Sequence, residues 1–126
     1  MKKILGLVGL GLFLVSCSSA AGVKNMSTEE FLVKSQEENV TILDVRSAGE
    51  FAMGHLTNAI NIDVEAGDFD SEVAKLDKNL AYAVYCRSGR RSEIASEKMA
   101  NSGFLNIFNL KGAGFADLAS LGAPTS

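Results

Sequence analysis

The chain has 126 residues and carries 12 Lys and Arg against 15 Asp and Glu, a formal charge of −3. That length suits one compact domain with a modest core, and an acidic balance excludes a nucleic-acid binder by composition. One histidine and two cysteines offer no metal constellation, and no cofactor is expected.

The first residues set the address. Met1-Lys2-Lys3 is followed by an apolar run from Ile4 to Val15 and then by Ser16-Cys17. A basic start, an apolar stretch too short to span a bilayer and a small residue before the cut describe a secretory signal over residues 1–16. Leu14-Val15-Ser16-Cys17 resembles a bacterial lipobox, which implies cleavage before Cys17 and lipidation of its thiol. An ordinary signal with Cys17 incidental, or an uncleaved anchor, are the alternatives. Cleavage removes Lys2 and Lys3 and no acid, so the mature chain has 126 − 16 = 110 residues and a charge of −3 − 2 = −5. Ser18 after Cys17, rather than Asp, resembles outer-membrane sorting in enteric-type bacteria. The expected location is therefore a bacterial membrane facing the periplasm, the outer one where the host has two. Residues 18–25 are small and polar and read as a tether, spanning about 15 Å when flexible. Such a tether places the domain close to the membrane surface.

The domain is read as residues 26–122. Ser27-Thr28-Glu29-Glu30 fits a capping box and opens a helix to about Ser35, with Phe31 and Leu32 inward. Val40 to Val45 is rich in β-branched residues and reads as a buried strand. Ser47-Ala48-Gly49-Glu50 is a second capping box before a short helix. Ala59 to Ile62 reads as a strand, and residues 69–76 as a helix with Phe69, Val73 and Leu76 on one face. Leu80 to Tyr85 is a strand that ends at Cys86. A helix then runs from about Arg90 to Ser102, with Ile94, Ala95, Met99 and Ala100 near one face and Gly103 ending it. Phe104 to Leu110 is the last strand. Gly112-Ala113-Gly114 is a turn, and a final short helix holds Phe115, Leu118 and Leu121. Strands alternating with helices argue for a parallel sheet covered on both faces. Ligands in such sheets sit at the carboxyl ends of strands, where Cys86 falls.

Cys86 opens Cys86-Arg87-Ser88-Gly89-Arg90-Arg91-Ser92, a turn with three arginines just ahead of a helix. That environment favours a thiolate and attracts an anion. With Cys17 lipidated, Cys86 has no intramolecular partner, and a lone thiol in an exported protein reads as reactive. A buried inert cysteine and a Cys17–Cys86 disulfide are the bland alternatives. The arginines equally suit a solvated face paired with nearby acids.

Asp44-Val45-Arg46, Glu50-Phe51, Gly54-His55-Leu56, Ala59-Ile60-Asn61, the Cys86 to Ser92 loop, Gly103-Phe104 and Asn109-Leu110-Lys111-Gly112 occur in the order seen in rhodanese domains. The resemblance covers roughly residues 26–122. It implies a single-domain rhodanese of the α/β class: a three-layer fold with a five-stranded parallel sheet and helices on both faces. It further implies Cys86 as the catalytic residue that carries sulfur, and Arg87, Ser88, Gly89, Arg90 and Arg91 as the substrate-binding loop. The activity implied is sulfur transfer from thiosulfate or a similar small anionic donor, through a Cys86 persulfide, to a thiol or cyanide-type acceptor that could be a protein. Two departures stand out: Thr57-Asn58 replaces the family's Pro-Gly, and Ala113 interrupts a Gly-Gly before a helix with Leu118 near the family's Trp position.

The same residues suit other chemistries less well. Protein-tyrosine phosphatases need Cys-x5-Arg, and that count from Cys86 lands on Ser92. The six-residue loop from Cys86 to Arg91 has the sulfurtransferase length by resemblance, which also disfavours an arsenate reductase. His55 suits a structural role, since a preformed thiolate needs no general base. Asp44 and Arg46 support the site either near its mouth or, with Glu50, as an ion-pair network that fixes the loop after the strand. A persulfide carrier or binding module serving one protein partner is the remaining reading, and the presence of the cysteine weighs against binding alone.

Overall fold

The structure is a computed structural model that describes residues 22–126. The signal and Cys17 lie outside the described residues. Ten elements follow in chain order: β1 (Val23–Met26), α1 (Thr28–Ser35), β2 (Val40–Asp44), α2 (Ala48–Met53), β3 (Ile60–Asn61), α3 (Phe69–Val73), β4 (Ala81–Tyr85), α4 (Arg90–Asn101), β5 (Asn106–Leu110) and α5 (Phe115–Ser120). The five strands form one sheet in the order β1-β5-β4-β2-β3, and every pairing is parallel. No helix of the described residues is long and apolar enough to cross a membrane.

Both capping boxes form. The Ser27 hydroxyl accepts from the Glu30 N–H at 3.2 Å while Glu30 accepts from the Ser27 N–H at 3.0 Å, and Ser47 and Glu50 repeat the arrangement for α2. Each satisfies donors that the first helical turn leaves orphaned. Gly103 closes α4 at φ 100°, a left-handed angle that costs other residues steric strain.

The sheet separates two apolar layers. On one face Phe31 from α1 and Leu118 from α5 pack with Ala83, Tyr85 and Leu110. On the other, Phe69 and Val73 from α3 and Ala95 and Met99 from α4 pack with Leu43, Tyr82, Val84 and Ile107. Neighbouring residues of β4 thus serve opposite faces, as the two-residue strand period demands. A strand buried on both sides has no polar alternation, which is why Ala81 to Tyr85 reads as a continuous apolar run. Truncating a side chain as enclosed as Phe31 to Ala removes about 3–5 kcal/mol.

Several sequence expectations are corrected. Val23, Lys24 and Asn25, read as tether, form edge strand β1 with Met26, pairing Val23 with Ile107 through Met26 with Leu110. Lys24 and Asn25 carry no apolar signal, so only pairing with a distant strand makes this segment extended. The domain also runs past residue 122. Leu56 bridges Thr125 antiparallel, the His55 N–H donates to the Ser126 carbonyl at 3.1 Å, and Ala123 is buried. Ile94, expected near the inner face of α4, is exposed, and Leu121, expected within the final helix, is exposed just past the end of α5. β3 and α3 are each shorter than read, while Ile62 and Leu76 still pack in or against the core.

Candidate active site

The central strand β4 carries the chain to Cys86, which is fully buried at the carboxyl end of the sheet. The chain then turns through Arg87, Ser88 and Gly89 into α4. The Gly89 N–H donates to the Cys86 Sγ at 3.0 Å. Gly89 adopts φ 103°, and a Cβ there would lie 2.6 Å from the Gly112 nitrogen. Glycine is therefore required twice over, by angle and by space.

The electrostatic balance on the thiol is legible. Burial pushes it up as the largest influence, since a thiolate loses hydration. Against this, hydrogen bonds from the Ser92 hydroxyl and from the Ser92, Ser88 and Gly89 N–H groups pull it down, and the outcome lies below the ordinary cysteine value. The Ser92 hydroxyl has one proton and also lies 3.2 Å from the Gly89 carbonyl and 3.3 Å from that of Leu110. Both contacts are long, so a thiolate competes well for that proton. The backbone N–H groups have no such competition and form the dependable part of the cradle. Nothing in the sequence marks Ser92 as more than the end of the loop; its burial between Cys86 and β5 reveals its role.

The arginines divide. Arg91 forms two parallel bonds to Glu50, Nη1 to Oε1 at 2.8 Å and Nη2 to Oε2 at 3.0 Å, tying α4 to α2. The Arg91 hydrogen bonds hold the Glu50 carboxyl at about 2. Arg87 and Arg90 are exposed and form no ion pair among the described residues. Ser88 is exposed beside them.

Beneath the loop lies a buried network. The Arg46 guanidinium binds Asp44 through Nη2 to Oδ2 at 2.7 Å and Nε to Oδ1 at 3.0 Å, and Nη2 also donates to the Gly54 carbonyl at 2.6 Å. The Tyr85 hydroxyl donates to Asp44 Oδ2 at 2.5 Å and accepts from the Leu56 N–H at 3.0 Å. Burial first, and then the Asp44 carboxylate, push the Tyr85 phenol far above its usual range. Glu50, grouped with Asp44 and Arg46 from sequence, is turned to Arg91 instead. His55 stacks on Phe51 at 3.7 Å and contacts the Phe51 carbonyl through Nδ1, a structural placement.

The Gly112 to Gly114 turn closes the site from the other side. The Phe115 N–H donates to the Cys86 carbonyl at 2.9 Å, and the Arg46 guanidinium lies 4.6 Å from the Phe115 ring centre. A Cβ on Gly114 would lie 2.6 Å from the Cys86 carbonyl oxygen and closer still to the Arg87 carbonyl. Its φ of −158° is ordinary extended backbone, so the constraint is space alone. Ala113 tolerates a side chain because the contact falls on the next residue. A cleft of about 620 Å³ between Ser35–Glu38, Leu56–Asn58 and Ala123-Pro124 does not touch the Cys86 loop.

A parallel α/β sheet that ends its central strand in a cysteine cradled by backbone N–H groups and a helix N-terminus defines a cysteine-loop domain. The model for the rhodanese-like domain matches residues 27–118, and this chain belongs to that family. It is 31% identical over 96 residues to the candidate sulfur carrier protein YrkF of Bacillus subtilis (strain 168), covering 75% of this chain and 51% of that protein. It is 34% identical over 92 residues to the tRNA uridine(34) hydroxylase of Cytophaga hutchinsonii, covering 71% of this chain and 30% of that protein. The chain thus spans about half or less of these curated relatives. Among solved structures, a rhodanese-related protein from Thermoplasma volcanium superposes with a TM-score of 0.70 at 29% identity, covering 82% of this chain and 97% of that one. The rhodanese-like domain of the Anabaena protein Alr3790 gives 0.69 at 27% identity, covering 81% and 77%. The five-stranded parallel sheet with helices on both faces matches these neighbours.

Proposed function

We propose that the domain is a sulfurtransferase that moves a sulfane sulfur from thiosulfate or a similar anion to a thiophilic acceptor. The observation that carries this reading is the Cys86 Sγ at the exit of β4, bonded to the Gly89 N–H and held below its ordinary pKa. The chemistry is covalent catalysis in two half-reactions. The Cys86 thiolate attacks the outer sulfur of thiosulfate; the new S–S bond forms as the old one breaks, and sulfite leaves with the electron pair. The cradle that stabilised the thiolate then stabilises the persulfide anion. A cyanide or thiolate acceptor takes the outer sulfur, and the Cys86 thiolate returns. No external oxidant or reductant enters. Arg87 and Arg90 are the cations free to neutralise the incoming anion, and Arg91 holds α2 over the loop. The test is the intact mass of the purified protein after thiosulfate. One added sulfur atom, absent in Cys86→Ser, supports the reading; an unchanged mass with a free, alkylatable Cys86 rejects it.

The likeness to YrkF favours a second reading, in which the persulfide serves one protein acceptor. Slow turnover with cyanide together with fast transfer to such a protein separates the two. Hydroxylation of tRNA belongs by name to relatives of which this chain spans about 30%, and it is not carried over. The Leu14 to Cys17 motif supports export and lipid anchoring at Cys17, with the domain facing the periplasm. Labelled fatty acid entering the wild type and not Cys17→Ala tests this.

A further inference from the structure

We infer that the end of the sheet opposite Cys86 is a membrane-contact face, and that the domain sits on the bilayer with its thiol turned outward. The inference rests on the lipid-anchor reading and is independent of the sulfur chemistry. Because all five strands are parallel, they share one starting end and one finishing end. Gly22, Asn39, Leu80 and Leu105 immediately precede β1, β2, β4 and β5, so they mark the starting end. Cys86 immediately follows β4 and marks the finishing end. Six residue steps at roughly 3.3 Å place Leu80 and Cys86 about 20 Å apart.

Two observations at the starting end point to a lipid surface. First, it is where the N-terminal chain joins the fold. The Gly22 carbonyl accepts from the Ile107 N–H at 2.9 Å, and a Cβ on Gly22 would lie 3.1 Å from the Leu105 carbonyl oxygen. From Cys17 to Gly22 is five residue steps, at most about 18 Å however extended. A lipid on Cys17 therefore keeps this end within about 18 Å of the bilayer and leaves the thiol end the freer of the two. Second, large apolar side chains stand in solvent here: Leu105 is 60% exposed, Leu80 47%, and Val33 in the last turn of α1 67%. A hollow of about 340 Å³ opens beside Leu80, lined also by Val40, Phe108, Lys34 and Asn106, the last two being sequence neighbours of Val33 and Leu105. Lys24, Lys34 and Lys78 flank the patch, but Lys34 pairs with Glu37, and Glu38 and Asp77 lie at the same end. The face is not a polybasic patch, so apolar contact with the headgroup region carries the proposal.

The functional consequence concerns access. With the thiol about 20 Å beyond a membrane-apposed face, donor and acceptor approach from the aqueous side. The acceptor is then a soluble molecule or a domain that projects well clear of the bilayer.

The test uses the full chain, expressed in bacteria that process lipoproteins and reconstituted in phosphatidylethanolamine–phosphatidylglycerol vesicles containing nitroxide lipid. In a Cys86→Ser background, a thiol-reactive fluorophore is placed at Leu105→Cys or at Arg87→Cys, both exposed positions; Leu80→Cys replaces the first if it misfolds by circular dichroism. The label at 105 is expected to lose most of its fluorescence to the nitroxide, and the label at 87 to keep it. Equal quenching, or stronger quenching at 87, overturns the orientation while leaving anchoring intact. An unquenched 105 label in a chain that runs as a dimer shows the face covered by a second copy, which also overturns it. Protein that fails to float with vesicles removes the anchor and this orientation together. The thiosulfate mass shift is read separately on the unlabelled wild-type chain, which keeps Cys86, so loss of one reading does not disguise loss of the other.

Discussion

Arg91 and Glu50, 41 residues apart in the chain, meet side by side through two parallel hydrogen bonds of 2.8 and 3.0 Å. The pair joins the start of α4 to α2 and splits three neighbouring arginines into two kinds. Arg91 spends its donors on Glu50, whereas Arg87 and Arg90 are exposed and form no ion pair among the described residues.

Replacing Arg87 or Arg90 by Ala should raise the KM for thiosulfate in at least one case. A lost charge-assisted hydrogen bond of about 1.5–3 kcal/mol corresponds to on the order of tenfold or more in kcat/KM. Arg91→Ala should instead lower the melting temperature and weaken activity with all donors alike. Steady-state kinetics with thiosulfate and with an uncharged donor, beside thermal melts, check both. A thiosulfate-specific KM defect confined to Arg91→Ala reverses the assignment.

Glu50 also predicts a pH dependence. Its carboxyl is held at about 2, below the ordinary value of 4.5, chiefly by the Arg91 hydrogen bonds. A depressed carboxyl stabilises the fold above its unfolded pKa and loses that contribution as pH falls through the folded one. The melting-temperature gap between wild type and Glu50→Gln should be full above about pH 5 and close as pH approaches about 2. A gap that stays constant down to pH 2 contradicts the pairing.

Cys86 should react with iodoacetamide at a lower pH than a free cysteine, because the cradle N–H groups favour the thiolate. Ser92→Ala should move the alkylation midpoint upward, but not to the free-thiol value, since the backbone donors remain. A midpoint in the wild type equal to that of a free thiol would show that burial outweighs the cradle.

Gly114→Ala should damage the site by overpacking alone. The new methyl meets the Cys86 and Arg87 carbonyls, and forcing room for it costs about 1–3 kcal/mol. Lower thermal stability with a sharp fall in persulfide formation is expected, whereas Ala113→Gly should be mild. Unaltered melting and kinetics in Gly114→Ala would place the turn farther from Cys86 than the structure does.

Cys86→Ser should abolish sulfur transfer with the fold intact, because a hydroxyl is far less nucleophilic than a thiolate. Residual turnover beside a normal circular dichroism spectrum would refute Cys86 as the sulfur carrier.

What the sequence determined by itself is local. The Ser27–Glu30 and Ser47–Glu50 caps, the buried run from Ala81 to Tyr85 and the turn from Cys86 into α4 each close within a few residues, so spacing alone reveals them. The order of motifs then identified the family and the sheet. Tertiary structure decided what depends on meetings across the chain. β1 is a strand because β5, some eighty residues later, offers it a ladder. Arg91 is a brace because α2 brings Glu50 to it. Gly114 must be glycine because the last turn folds onto the Cys86 carbonyl. Tyr85 bonds Asp44 because β2 and β4 lie in register. Periodicity reports which face a residue prefers, but a partner at long sequence separation is fixed only when the sheet assembles and its loops are packed together.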